Sequence, residues 1–387
     1  MRKISDTIAR LAAMRAQQNT YIPTHGLSDR LSTLTDFGSN PGALRARCYL
    51  PDTLPEGAPL VVVLHGCTQD AAGYDFHAGW SQLADEAGFA LLYPEQQRAN
   101  NANLCFNWFL PGDIARARGE ALSIRQMIES MVATHGLDRK RIYVTGLSAG
   151  GAMAAVMLAT YPEVFAGGGI IAGLPFGSAA TVPEAFDRMR GHGGPCKQAL
   201  QQLVQRASTH TGPWPKVSIW QGSADHTVAA SNAEAIAAQW RGVHGLGLDQ
   251  APTHSTSERG LTRQVWCDMS GVPKIEVNMI AGMGHGTPLG GDGLGAPGPY
   301  MLDVGISSTR GIARFWGIAK TDDKGASAQS RPASPIGKRL PSLAPTPSLE
   351  LAKTRTAEPS RAGLEGSHAQ GLKKVIEDAL RAAGLMR

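Results

Sequence analysis

Arg141-Ile142-Tyr143-Val144-Thr145-Gly146-Leu147-Ser148-Ala149-Gly150-Gly151-Ala152-Met153 is the stretch whose reading decides the fold. Ile142, Tyr143 and Val144 predict a buried strand over 141–145, and the small residues that follow predict a helix from Ala149 to Thr160. Between them, Gly146-Leu147-Ser148-Ala149-Gly150 fits G-x-S-x-G in the strand–turn–helix setting of a nucleophile elbow. A serine at the tip of so sharp a turn takes a strained backbone conformation. Side chains two residues to either side would collide with it or with the sheet, so glycine is expected there. The five-residue pattern alone recurs by chance. The strand before it and the helix after it set it apart from a glycine-rich helix start.

Outward from this turn, strand and helix signals alternate from about Asp36 to Ile318. Strands are expected at 43–50, 59–64, 89–93, 168–172, 217–221 and 275–280, and helices at 120–135, 231–240 and 307–316. Val61-Val62-Val63-Leu64 is a continuous apolar run, as a strand buried on both faces requires. The expected class is α/β: an α/β-hydrolase fold with a mostly parallel central sheet and helices on both faces, followed by a disordered tail. Right-handed crossovers then place the loops after the strands along one edge, where ligands bind.

A serine hydroxyl is a weak nucleophile at neutral pH and needs a base, which in turn needs an orienting group. In this fold the order along the chain is Ser, then Asp or Glu, then His, each on a loop after a later strand. Asp225 follows the strand at 217–221 in a tight turn, and His285 follows the strand at 275–280 among Gly282, Gly284 and Gly286. Ser148, Asp225 and His285 are therefore the expected catalytic residues. His226 reads as loop filling, Asp292 as part of a plain glycine-rich loop, and Asp70 precedes the serine and so has the wrong order. An oxyanion hole needs two backbone N–H groups. Ala149 would supply one and Cys67, in the loop after 59–64, the other; His65 would hold that loop. Trp108 and Phe176 would line an acyl pocket or simply pack.

With 42% hydrophobic and 18% charged residues over 387 positions, the chain has enough apolar mass for a large core. The net charge of +5 with no dense Lys/Arg run gives no ground for nucleic-acid binding. No apolar run is long enough for an integral membrane span. No His/Cys/Asp cluster has metal spacing, and the expected chemistry needs no cofactor. The five cysteines leave at least one thiol unpaired within the chain; the reading is either reduced thiols or one disulfide such as Cys67–Cys105.

The ends differ from the middle. Residues 1–35 form an N-terminal segment in which Ile4, Ile8 and Leu11 suggest a short amphipathic helix without the apolar core of a secretory signal, favouring the cytoplasm. Residues 36–318 form the catalytic domain. From 319 to 370 the chain has no aromatic residue and six prolines, the composition of a flexible linker. Residues 371–387 carry an apolar stripe, Leu372, Val375, Ile376, Ala379 and Leu380, suited to a short helix. The terminal helices would pack on the domain or dock on a granule or partner, and the C-terminal one, marginal alone, would otherwise stay frayed.

Taken together, these residues resemble the polyhydroxybutyrate depolymerase family of esterases, neighbours of the feruloyl and acetyl xylan esterases. The resemblance runs from about Phe37 to Gly317. It rests on Val63-Leu64-His65-Gly66-Cys67-Thr68-Gln69, Tyr93-Pro94-Glu95-Gln96 and Cys105-Phe106-Asn107-Trp108-Phe109. It continues through the elbow to Met153, Tyr161-Pro162-Glu163-Val164-Phe165, Gly222-Ser223-Ala224-Asp225 and Gly284-His285. The resemblance implies hydrolysis of short-chain poly(3-hydroxyalkanoate) esters or small esters, with Ser148, Asp225 and His285 as the triad, Cys67 as the oxyanion cysteine and an often extracellular setting. A carbohydrate-linked acyl ester is the alternative substrate, and a non-catalytic binding protein on a hydrolase scaffold is the alternative of another class.

Overall fold

The computed structural model describes residues 29–320. The expected helix over 1–17, the terminal helix at 371–387 and all of the linker beyond Lys320 lie outside the described residues. In chain order the first half contains β1 (Ser32–Thr33), β2 (Arg45–Tyr49), β3 (Leu60–Leu64), α1 (Ala71–Ala78), α2 (Trp80–Ala87), β4 (Ala90–Glu95), α3 (Pro111–Ile114), α4 (Gly119–His135), β5 (Ile142–Leu147) and α5 (Ala149–Thr160). The second half contains β6 (Gly167–Ile171), α6 (Val182–Met189), α7 (Lys197–Arg206), β7 (Lys216–Gly222), α8 (Ser231–Val243), β8 (His254–Glu258), β9 (Leu261–Cys267), β10 (Pro273–Ile280), β11 (Thr287–Leu289), β12 (Met301–Asp303) and α9 (Ser308–Trp316).

Ten of the strands form one sheet in the order β1-β2-β4-β3-β5-β6-β7-β10-β9-β8. The six strands from β4 to β10 run parallel, and antiparallel pairs close both sides. The period of two within β3 sorts its side chains into two cores. Leu60, Val62 and Leu64 pack with Ile124 and Met127 of α4 and with α5 and α8, while Val61 and Val63 pack with Tyr74, Trp80 and Leu83 of α1 and α2 and with α9. On that second face the Trp316 ring stacks on Tyr143 and Trp80, at centroid distances of 4.8 Å and 6.0 Å.

The strands expected at 43–50, 59–64 and 275–280 are present with ends shifted by one or two residues, and the helix Ala149–Thr160 is present as expected. The fold has elements beyond that reading. The edge strand β8 is His-Ser-Thr-Ser-Glu and exposed at every position, so no apolar alternation marks it. The helices α1, α2, α6 and α7 are at most ten residues long, so apolar residues at helical spacing, such as Trp80, Leu83, Ala84 and Ala87, span too few turns to stand out as a periodic signal.

One buried carboxyl ties the first half of the sheet edge together. Glu120, in the first turn of α4, is fully buried. Its Oε1 accepts from Gln96 Nε2 at 2.6 Å and Asn100 Nδ2 at 3.3 Å, and its Oε2 accepts from the Asn107 amide at 2.8 Å. Gln96 also donates to the Cys105 carbonyl, and its amide donates to His65 Nε2. The loop after β3 and the loop carrying Cys105 thus hang from one side chain. Burial, with the nearby Asp113 carboxylate adding to it, pushes the Glu120 pKa from 4.5 up to about 8. A carboxyl raised on folding holds its proton in the native state after the unfolded chain has lost it. Its contribution to stability therefore falls as pH rises from about 4.5 to about 8. Melting temperatures of the wild type and Glu120→Gln measured across that window should diverge: the wild type loses stability with rising pH relative to the variant. Parallel curves would contradict a raised Glu120 pKa.

Candidate active site

The elbow is built as its sequence demands. Ser148 sits between β5 and α5 with φ 58° and ψ −116°, a conformation that costs a non-glycine residue about 1–3 kcal/mol. Its amide donates to the Ile171 carbonyl at 2.9 Å and its carbonyl accepts from Ala152. A Cβ at Gly150 would lie 2.3 Å from the Leu64 oxygen, and one at Gly146 would lie 2.5 Å from the Gly150 backbone. Bare glycine backbone at these two positions lets α5 begin directly against the end of β3. Ser148 itself is half-buried, open to a reactant.

The loop after β3 lies beside this turn, with Gly66 against the Leu147 side chain. His65 is buried and locked in one neutral tautomer: Nε2 accepts from the Gln96 amide at 3.1 Å, so Nδ1–H donates to the Gly66 carbonyl at 2.8 Å. Burial pushes its pKa down, in keeping with the neutral ring. Phe106 packs on it at 4.9 Å. The Thr68 amide donates to the Asn103 carbonyl, and Cys67 is disulfide-bonded to Cys105. Of the two readings open from sequence, the paired one holds. Cys48 and Cys267 are free and buried, and Cys196 is free and exposed. The Cys67 and Ala149 amides donate no hydrogen bond among the described residues.

Farther along the same edge the turn after β7 and the loop after β10 are fastened to each other. The Ser223 amide donates to Ile280 O, the Ala224 amide to Met283 O, and the Gly282 amide to Ser223 Oγ. This fastening brings the Asp225 carboxylate to His285, whose Nδ1–H donates to Oδ2 at 2.7 Å. The Asp225 side chain is wholly buried, and that of His285 is 9% exposed. The other carboxylate oxygen accepts from the Thr227 and Val228 amides, both at 2.8 Å. Gln221 Nε2 donates to Oδ2 at 3.1 Å. A fully hydrogen-bonded carboxylate of this kind fixes the tautomer of its histidine and favours an imidazolium when one forms. Tyr300 lies edge-on to the His285 ring at 6.0 Å.

The chain of contacts Ser148 N to Ile171 O and Ala172 N to Trp220 O sets the elbow, β6 and β7 side by side. Ser148, Asp225 and His285 thus share one edge, and His285 and Asp225 are joined. The Ser148 hydroxyl forms no hydrogen bond among the described residues. His226 is exposed. Asp292 accepts from Arg310 Nε at 2.9 Å, and Asp70 caps α1 by accepting from the Gly73 amide at 2.7 Å. Trp108 and Phe176 are 6% and 9% exposed and belong to the core on the α5 face, so little of either ring is open to a substrate. The Phe176 backbone is clasped by both ends of the buried Gln239 amide, at 2.9 Å each. Gln221, Gln96 and Glu120 were not expected at the site. Gln221 and Gln96 carry only a weak signal, since each sits at the end of a strand that has other polar residues, Lys216 and Ser218 in β7 and Glu95 in β4.

The chain is similar to known esterases. Residues 44–263 match the Esterase PHB depolymerase family. A poly(3-hydroxyalkanoate) depolymerase C from Paucimonas lemoignei is 46% identical over 293 residues, 74% of this chain and 70% of the relative. A feruloyl esterase B from Talaromyces funiculosus is 30% identical over 271 residues, 68% of this chain and 74% of that one. Among solved structures, the acetyl xylan esterase from Aspergillus awamori superposes with a TM-score of 0.65 at 24% identity, covering 75% of this chain and 99% of that one, a likeness of fold. The chain belongs to the Esterase PHB depolymerase family and is a carboxylic ester hydrolase with the α/β-hydrolase fold.

Proposed function

We propose that the chain hydrolyses ester bonds of short-chain poly(3-hydroxyalkanoates) and their oligomers through a serine acyl-enzyme, with residues 36–318 as the catalytic unit. The observation that carries this reading is the 2.7 Å bond from His285 to the buried Asp225, on the sheet edge that also presents the strained Ser148. The 46% identity to a poly(3-hydroxyalkanoate) depolymerase supports the substrate class.

In the mechanism, Ser148 Oγ attacks the ester carbonyl while His285 Nε2 takes its proton. Asp225 stabilises the resulting imidazolium. The amides of Cys67 and Ala149 receive the negative charge that develops on the carbonyl oxygen, each such donor contributing about 3–4 kcal/mol. His285 then gives its proton to the departing alkoxide, and water repeats the sequence to free the acid. The disulfide holds the Cys67 amide in a loop that Gln96 and Glu120 brace from beneath. That disulfide supports a non-reducing, extracellular setting. The apolar stripe at 371–387 supports docking on a polymer granule or a partner.

Three measurements test this. Ser148→Ala should abolish turnover of a short p-nitrophenyl ester, and Asp225→Asn should lower kcat about 10⁴-fold by leaving His285 in the unproductive tautomer; unchanged rates would remove these residues from the mechanism. Side-by-side assays should rank hydroxybutyrate oligomers and amorphous polyhydroxybutyrate above methyl ferulate and acetylated xylan, and the reverse order would shift the substrate to a carbohydrate-linked ester. Deleting 371–387 should reduce the fraction bound to polymer granules without changing turnover of the p-nitrophenyl ester, and equal partitioning would end the docking assignment.

A further inference from the structure

Asp225 holds one end of the His285 ring and leaves the other end to a different support. The bond from Nδ1–H to Oδ2 fixes the tautomer, but the imidazole can still turn about it. Nε2 forms no hydrogen bond among the described residues, as suits a base that must collect a proton. The loop around His285 gives little restraint: a Cβ at Gly282 or Gly284 would meet nothing within 4 Å. The ring that does lie against His285 is that of Tyr300, with centroids 6.0 Å apart and planes at 77°. Both values belong to an edge-to-face aromatic pair.

Tyr300 occupies that place under strain. Its φ is 61°, a left-handed conformation that a bulky side chain rarely adopts. The segment before it has glycine at 290, 291, 293, 295 and 298, so a tyrosine at a position made for glycine stands out. Its backbone is held from both sides. The Tyr300 carbonyl accepts from the Thr287 amide at 2.8 Å, and Gly298 and Met301 exchange backbone hydrogen bonds at 3.1 Å and 3.0 Å. β11 and β12 pair in parallel just beyond His285, with Thr287 opposite Met301. A Cβ at Gly286 would lie 2.6 Å from the Tyr300 oxygen, so bare backbone beside His285 lets the two segments close up. Farther out, Asp292 and Glu86 both hold Arg310, the Gly295 amide donates to Gln82 Oε1 at 2.7 Å, and His77 Nδ1–H donates to the Ala296 carbonyl at 2.8 Å.

A strained residue held this firmly against a side chain of the triad points to a role in the site. The Tyr300 hydroxyl forms no hydrogen bond among the described residues, which leaves the ring as the working part. A ring also suits the task better than a hydrogen-bonding group would. A donor at Nε2 would occupy the lone pair that takes the serine proton, whereas an aromatic edge restrains the imidazole and leaves that lone pair free. We propose that Tyr300 is a positioning residue, whose ring stops the His285 imidazole from turning about its bond to Asp225 and so keeps Nε2 directed to the elbow. The inference rests on the triad reading above and deepens it. Tyr300 acts through His285 alone.

The test is kcat and KM for p-nitrophenyl acetate, butyrate and octanoate, with melting temperatures showing which variants are folded. Tyr300→Leu keeps a bulky side chain on the same backbone and removes the ring. It should lower kcat by about two- to ten-fold, the range an aromatic pair supplies, by the same factor for all three esters and with KM unchanged. Tyr300→Phe should keep the wild-type kcat. Tyr300→Gly, which also relieves the left-handed backbone, should lose kcat as the leucine variant does, and it decides the matter if that variant does not fold. A wild-type kcat without the ring, or a loss whose size changes with the acyl chain, overturns the positioning role and leaves the triad standing. Ser148→Ala, assayed in parallel, should be inactive; turnover at the wild-type rate would instead overturn the triad reading, and the role of Tyr300 with it.

Discussion

The left-handed backbone of Ser148 can persist only if its surroundings hold it there, and much of the sheet edge is arranged to do so. The strain of about 1–3 kcal/mol is local, while what opposes it is spread over three strands. β5 delivers the residue, β6 accepts its amide through Ile171, and the end of β3 presses on Gly150. Because α5 must begin against the Leu64 and His65 carbonyls, the loop after β3 is drawn alongside the turn. The geometry that exposes the hydroxyl also fixes where the neighbouring amides lie.

The same logic of shared supports recurs at the other loops. Asp225 is held by two amides of its own turn and by Gln221, and His285 is held by Asp225 and by the fastening between the turn after β7 and the loop after β10. Glu120 and Gln96 brace the disulfide-joined loops. His285, Asp225 and the Cys67 loop are therefore each backed by a buried polar side chain, while Ser148 is held by backbone alone. Such networks specify one arrangement only when every member is satisfied, which is the case for Asp225.

What could be read from sequence was what repeats or punctuates. Val61 to Leu64 and Ile142 to Val144 announce buried strands because both faces of a parallel sheet are apolar, and the two elbow glycines mark a turn that only glycine permits. Asp225 and His285 followed from chain order and the turns around them. The polar supports were harder to see. Gln96 follows Glu95 at the end of β4, and nothing local says that it reaches Glu120, 24 positions away. Gln221 points to Asp225 only once the turn between them is folded. Trp108 and Phe176 sat in loops, where aromatic residues suggest exposure, yet both settle into the core. Short polar strands such as β8 lack any alternation, since pairing with β9 and not burial defines them.

That edge has a colloidal consequence. Among the described residues the ten-stranded sheet ends in two margins that no further strand covers, each a template for pairing with another molecule. One margin is only two residues long, and the other, His254 to Glu258, is hydroxyl-rich and charged. Neither offers the long apolar ribbon from which fibrils grow. Margins of this kind let molecules of the enzyme meet at high density without pairing edge to edge.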